Sequence, residues 1–141
     1  DVDPALAHED YIIKRSDGLF AYQLVVVIDD IEQGINRIVR GADLLEPTAR
    51  QISLFKQLNN PIPEFAHLPL AVAKPGFKLS KQNYAPAICK QNPKPTLIAV
   101  VNILGLPTHD QLMDLTTEQL RAWGVAHFNL SRVPTTREIQ I

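Results

Sequence analysis

The sequence holds a single cysteine, Cys89, in 141 residues. That excludes a disulfide framework and a cysteine-built zinc site within the chain. Aromatic residues are scarce at 6%. No apolar run approaches the roughly 18 residues of a membrane span, and no signal-peptide pattern opens the chain. A reduced, cytoplasmic setting is the expectation that follows. The first residue is Asp1 rather than Met, as expected of a piece of something longer. Acidic residues are missing altogether from residues 65–109, which carry Lys74, Lys78, Lys81, Lys90 and Lys94. The remainder then has nine basic against fifteen acidic residues beneath an overall charge of −1. Such a split suggests an anionic ligand near the basic stretch, although a solvated lysine face gives the same pattern.

What is present is a globular composition, 45% hydrophobic and 21% charged. One domain, or one domain with a small appendage, is the expectation at this length. Tyr11-Ile12-Ile13-Lys14-Arg15 reads as a short strand, and Ser16-Asp17-Gly18 as a turn. Residues 19–28, LFAYQLVVVI, suit a second strand, but a short apolar run does not separate strand from helix. Arg37-Ile38-Val39-Arg40 looks like a buried strand closed by Gly41. Thr48 and Gln51 have the spacing of a capping box and begin a helix that ends at Asn59-Asn60-Pro61. Residues 65–72 read as a strand ending near Pro69. Lys74-Pro75-Gly76 opens a polar loop. Residues 96–104 suggest a short buried helix stopped by Gly105. Thr116 with Gln119 caps another helix, and the last ten residues show no pattern. Strand, helix, strand and helix-rich tail together favour an α/β unit followed by a small helical piece.

The chemistry concentrates in few places. Lys78-Leu79-Ser80-Lys81-Gln82-Asn83 puts two lysines around a serine on a loop preceded by glycine. Lysine is a mobile point charge for phosphate, so this loop suits a polyphosphate; an ordinary solvent loop is the other reading. The glycine spacing of a Walker A motif is absent. Arg40 ends an apolar strand, where open α/β sheets bind ligands, and its guanidinium suits a carboxylate bidentately. A pairing with Asp43 is the plainer alternative. Tyr22 reads as core by default, His67 as a satisfied core histidine, and Asp29-Asp30 as a solvated turn. Cys89 reads as an inert buried thiol. His8, His109 and His127 lack metal-ligand spacing.

These residues also fall into a known order. Residues 15–24 (RSDGLFAYQL), Val26-Val27-Ile28-Asp29-Asp30, Gly34-Ile35, Val39-Arg40-Gly41-Ala42-Asp43-Leu44-Leu45, Thr48, Arg50-Gln51, His67-Leu68-Pro69-Leu70 and Lys78 to Asn83 occur in sequence. The set resembles the second half of a class I glutamyl-tRNA synthetase catalytic domain, from about Asp10 to about Pro134. Within that group it is most similar to the glutamyl-Q tRNA(Asp) synthetases, because Ala42 and Gln82 stand where ordinary glutamyl enzymes usually have Glu and Arg.

The resemblance implies an α/β fold: the second half of a Rossmann-like class I catalytic domain (residues 1–84), then a helical segment and tail (residues 85–141). It implies a helix after Tyr22. It makes KLSKQ a KMSKS-type signature, with Lys78, Ser80 and Lys81 on ATP and Lys81 as the catalytic group, while Tyr22 and Arg40 bind glutamate. It implies a ligase that activates glutamate with ATP and magnesium, then transfers it to the queuosine base of tRNA(Asp). The HIGH motif, the early substrate-binding segment and the cysteine-rich zinc site of the family are not in this chain. Zinc is therefore expected only in a missing upstream half, which is itself a possible partner. A half-site of this kind is expected to be inactive alone. The alternatives are the same half of an ordinary glutamyl-tRNA synthetase, or a non-catalytic remnant that binds RNA or protein.

Overall fold

A computed structural model describes residue 5, residues 10–79 and residues 85–141. The chain divides into two compact units, residues 1–67 and residues 68–141. Both helices and sheets are present, in an α/β arrangement.

In the first unit, helix α1 (Tyr22–Glu32) leads to strand β1 (Arg37–Gly41), a 3-10 turn (Ala42–Leu44), helix α2 (Pro47–Gln57) and strand β2 (Glu64–Leu68). The apolar run of residues 19–28 thus resolves as helix. A helix buries one stripe of such a run, and here that stripe is anchored by Val27, which is fully buried. Val27 packs with Leu54 and Phe55 of α2, with Tyr11, Leu24, Val26, Ile31 and Phe65 around them. Burying a side chain of the size of Phe55 contributes about 2–3 kcal/mol. Between the same helices, the buried Gln51 donates from Nε2 to Oε1 of Gln23 at 2.8 Å. That bond matters because a buried amide without a partner costs about 1–3 kcal/mol.

Helix α1 ends in a Schellman motif. Gly34, at φ +66°, donates to the carbonyl of Ile31, and Ile35 donates to that of Asp30. Helix α2 ends in the same way on Asn59, at φ +52°, whose left-handed conformation asparagine tolerates. Strands β1 and β2 form a two-stranded sheet. Across it, Arg37 makes an exposed ion pair with Glu64 at 2.7 Å.

Two expectations for this unit are corrected. Residues 11–15 form no strand; only Lys14 and Phe20 make an isolated bridge. The turn between them satisfies its backbone locally, through Arg15 N–H to the Leu19 carbonyl at 2.7 Å and Gly18 N–H to the Arg15 carbonyl at 3.1 Å. Strand β1 is not buried along its length, and Val39 is 54% exposed.

In the second unit, β3 (Leu70–Lys74) is central in a three-stranded sheet, with β4 (Phe77–Lys78) and β5 (Glu138–Gln140) beside it. The strand expected over residues 65–72 is therefore two strands divided at Pro69, which has no N–H to give a ladder. The polar loop expected after Lys74 is instead a hairpin turn, Pro75-Gly76, with Gly76 at φ +78°. β3 pairs antiparallel with β4, Val72 opposite Lys78, and parallel with β5, Leu70 opposite Glu138. The Glu138 carboxylate accepts the Gly76 N–H at 3.0 Å, tying the hairpin turn to β5.

Helix α3 (Lys94–Ile103) and helix α4 (Thr117–His127) complete the unit, with 3-10 turns at Asp110–Asp114 and Leu130–Arg132. The capping box at α4 is present in both directions: Gln119 N–H to Thr116 Oγ1, and Thr116 N–H to Gln119 Oε1. Helix α3 has no fully buried residue, against the expectation of a buried helix. Its apolar faces are only half covered, and Val100 is 44% exposed. Cys89 is exposed rather than buried. The surrounding proline-spaced stretch, residues 85–93, has no helix or strand to bury it.

Candidate functional site

The Arg40 side chain is held by several partners within the first unit. Its Nη2 donates to Thr48 Oγ1 at 2.7 Å and to the Leu44 carbonyl at 3.2 Å. Its Nε donates to His67 Nε2 at 3.3 Å. The guanidinium carbon lies 5.0 Å from the centre of the Phe65 ring, close enough for a cation–π contact. Four elements thus meet on one side chain: β1 supplies it, the 3-10 turn gives a carbonyl, α2 a hydroxyl, and β2 an imidazole and a ring. Phe65 and His67 reach it together because residues two apart on a strand share a face, and their rings stack 9° from parallel.

Thr48 does not cap α2, as its spacing with Gln51 suggested. It is buried inside the helix, no side chain caps the N-terminus, and Pro47 occupies its first turn. The Thr48 hydroxyl instead donates to the Leu44 carbonyl at 2.8 Å while accepting from Arg40. His67 is half-buried and polar-partnered, with Thr48 Oγ1 also 3.0 Å from its Nε2. An Nε2 that accepts from Arg40 must keep its lone pair, so the imidazole is neutral with its proton on Nδ1. Burial holds the His67 pKa below the usual 6.5, and the Arg40 charge lowers it further; the Leu44 backbone works against both.

Burial also lowers the Arg40 pKa, opposed by Tyr22 and by Asp30, which lie close enough to act on the guanidinium. Asp30 is pushed above its usual value by burial, Arg40 pulling it down and Asp29 raising it. Tyr22 opens α1 and is 54% exposed, so it is not a core residue. The family resemblance assigned Tyr22 and Arg40 to one substrate, whereas the residue pattern alone read Tyr22 as core; the structure sets the two within electrostatic reach of each other. Sequence reasoning missed Thr48, His67 and Phe65 as partners of Arg40. The period-two placing of Phe65 and His67 was the available signal. Among the described residues, the Arg40 hydrogen bonds use Nε and Nη2, and Nη1 makes none. The guanidinium was expected to take a carboxylate bidentately; among the described residues its Nε–Nη2 edge is already occupied, which leaves the two N–H groups of Nη1.

Lys78 lies in the second unit, exposed at the end of β4, and Leu79 beyond it donates to the Ala71 carbonyl at 2.9 Å. Ser80 and Lys81 lie outside the described residues. Among the described residues no three His, Cys, Asp or Glu side chains gather where a metal ion could be held, and no helix is long and apolar enough to cross a membrane.

Comparison with known proteins adds to this geometry. The chain is 53% identical over 139 residues to the glutamyl-Q tRNA(Asp) synthetase of Serratia proteamaculans, covering 99% of this chain and 46% of that protein. It is 52% identical to the protein of the same name from Colwellia psychrerythraea, covering 97% of this chain and 45% of that one. The chain thus spans about half the length of the curated relatives it matches. Its fold is shared with a glutamate-tRNA synthetase from Elizabethkingia anophelis, at a TM-score of 0.67 and 21% identity, over 94% of this chain and 30% of the other. With residues 2–122 matching the family model of the tRNA synthetases class I (E and Q), catalytic domain, the chain belongs to that family.

Proposed function

We propose that this chain supplies one half of a catalytic site that activates glutamate with MgATP and passes the glutamyl group to the queuosine base of tRNA(Asp). The observation that carries this reading is the Arg40 guanidinium, fixed along its Nε–Nη2 edge beside Tyr22 with Nη1 uncommitted.

In the first step the glutamate α-carboxylate attacks the α-phosphorus of ATP, and pyrophosphate leaves. A carboxylate needs no proton removed, so the protein's contribution is alignment and charge neutralisation. Arg40 holds a glutamate carboxylate, and Tyr22 walls the amino acid and bonds to it. Lys78, Ser80 and Lys81 bind the triphosphate, and Lys81 is the catalytic group that meets charge as it builds on the leaving pyrophosphate. Magnesium accompanies ATP as part of the substrate, through its phosphates. The acid-free stretch of residues 65–109 attracts the anionic substrates, ATP and tRNA(Asp). In this reading residues 1–84 belong to the catalytic domain and residues 85–141 form a helical segment. The working compartment is the cytoplasm, and the remaining half of the site comes from a segment with the family's HIGH motif.

A chimera tests the proposal. This chain replaces the corresponding segment of the Serratia proteamaculans relative. Glutamate-dependent exchange of pyrophosphate into ATP is measured, then transfer to tRNA(Asp) with and without queuosine. Exchange together with queuosine-dependent transfer is the expected result. Charging of a terminal adenosine instead would assign the chain to the ordinary glutamyl enzymes, which Ala42 and Gln82 disfavour. No exchange from a folded chimera overturns the catalytic reading.

A further inference from the structure

We propose that Thr48 and His67 are positioning residues for Arg40, locking the rotation of its guanidinium so that Nη1 faces the amino-acid substrate. The proposal rests on the reading of Arg40 as the carboxylate-binding group.

An arginine side chain has four rotatable bonds and ordinarily loses much of that freedom only when a ligand arrives. Here the freedom is removed beforehand. The Nε–H bond to His67 and the Nη2–H bonds to Thr48 and Leu44 fix the guanidinium in its plane. The guanidinium carbon also sits over the Phe65 ring, 5.0 Å from its centre. Among the described residues three of the five N–H donors are spent, and the pair on Nη1 remains. Preorganisation of this kind lowers the ordering cost of binding without adding a contact to the ligand.

The anchors also compete for one another. Thr48 has a single hydroxyl proton, and both the Leu44 carbonyl at 2.8 Å and His67 Nε2 at 3.0 Å are in reach of it. The network closes without conflict only while His67 Nε2 is an acceptor. A second proton on the imidazole would set an N–H against the Nε–H of Arg40 and place two cations side by side. The groups facing His67 are Arg40 from β1, Thr48 from α2, the Leu44 carbonyl from the 3-10 turn and Phe65 on its own strand. Tyr22 and Asp30 of α1 act on Arg40. Of these the Leu44 carbonyl alone favours the imidazolium, and burial and the Arg40 charge outweigh it.

The test uses the chimera and separates the KM for glutamate from the KM for ATP and from kcat. Thr48→Val keeps the volume and loses the hydroxyl; it is expected to raise the glutamate KM about tenfold, the scale of one lost hydrogen bond. The KM for ATP should stay unchanged, and Thr48→Ser should stay near the parent. For His67, the parent's glutamate KM should rise as pH falls through the folded pKa of the imidazole, which burial and Arg40 hold below the ordinary histidine value. His67→Gln, whose amide oxygen still accepts from Arg40 but does not titrate, should flatten that rise. Should Thr48→Val fail to fold, the pH profiles of the parent and His67→Gln decide alone. A merely structural role would lower the folded fraction and leave the glutamate KM where it was. If Arg40→Ala raises the glutamate KM while Thr48→Val does not, and the pH profiles coincide, the positioning role is overturned and the Arg40 reading stands. If Arg40→Ala leaves that KM unchanged, both are overturned together.

Discussion

Gly105 faces the backbone of Arg132 so closely that a β-carbon at Gly105 would run into the Arg132 carbonyl oxygen. Gly105 also ends α3 at φ +76°, donating to the Asn102 carbonyl while Leu106 donates to that of Val101. Gly105→Ala therefore combines a left-handed backbone penalty of about 1 kcal/mol with an overpacking cost of about 1–3 kcal/mol. Gly34→Ala meets open space and bears only the first. Urea unfolding of the two variants should show the Gly105 variant markedly less stable. Equal midpoints would contradict the close approach.

Arg40→Lys should be nearly as damaging as Arg40→Ala to glutamate use in the chimera. An ammonium has no planar fork to span Thr48, Leu44 and His67 while keeping a donor for substrate. Steady-state kinetics should show a glutamate KM at least about tenfold higher in both, on the scale of a lost charge-assisted bond. A lysine variant close to the parent would refute the geometric part of the assignment.

Lys81→Ala should lower the adenylation rate far more than it weakens glutamate binding, if the lysine acts on phosphates in the transition state as proposed. Single-turnover adenylate formation against the glutamate dissociation constant separates the two. Equal adenylation rates in variant and parent would remove Lys81 from the chemistry.

The chain by itself should give no appreciable glutamate-dependent pyrophosphate exchange. Each absent contact from the HIGH-motif side is worth on the order of 3 kcal/mol of transition-state stabilisation, by comparison with single oxyanion donors. Exchange near that of the chimera would show the half-site to be sufficient.

His67 makes the first unit acid-sensitive in a defined direction. Its folded pKa lies below the 6.5 of an unstrained histidine, through burial and then Arg40. Above about 6.5 the folded and unfolded states both hold it neutral, and nothing is lost. As pH falls through that value the unfolded chain takes the proton first, so stability declines until the folded pKa is reached. His67→Gln should show a shallower loss in thermal melts between pH 7 and pH 5. Parallel curves for variant and parent would remove His67 as the origin.

Much of this fold was legible, and the misreadings share a cause. The turn at Gly18, the stop at Asn59 and the capping box at Thr116 were readable because their chemistry is complete within a few residues. Thr48 was misread because its hydroxyl, equally fit to cap a helix, is recruited by Arg40 eight positions earlier. Strand β5 went unseen because its Glu-Ile-Gln alternation is only three residues long and is defined by pairing with β3, some 68 positions away. The run of residues 19–28 was ambiguous because nearly every position in it is apolar, so neither a two-fold nor a 3.6-fold period stands out. Tyr22 and Arg40 were found as a pair through resemblance, while His67 and Thr48, which touch Arg40, needed coordinates.

The parallel ladder between β3 and β5 has a temporal side. The helices and the two-stranded sheet that begin in the first unit are built from residues no later than Leu68, so that unit can set while translation continues. The central strand of the second unit must wait, one edge unsatisfied, until the ribosome has delivered residue 140. During that interval the β5-facing edge of Leu70 to Lys74 is an unpaired template for another strand.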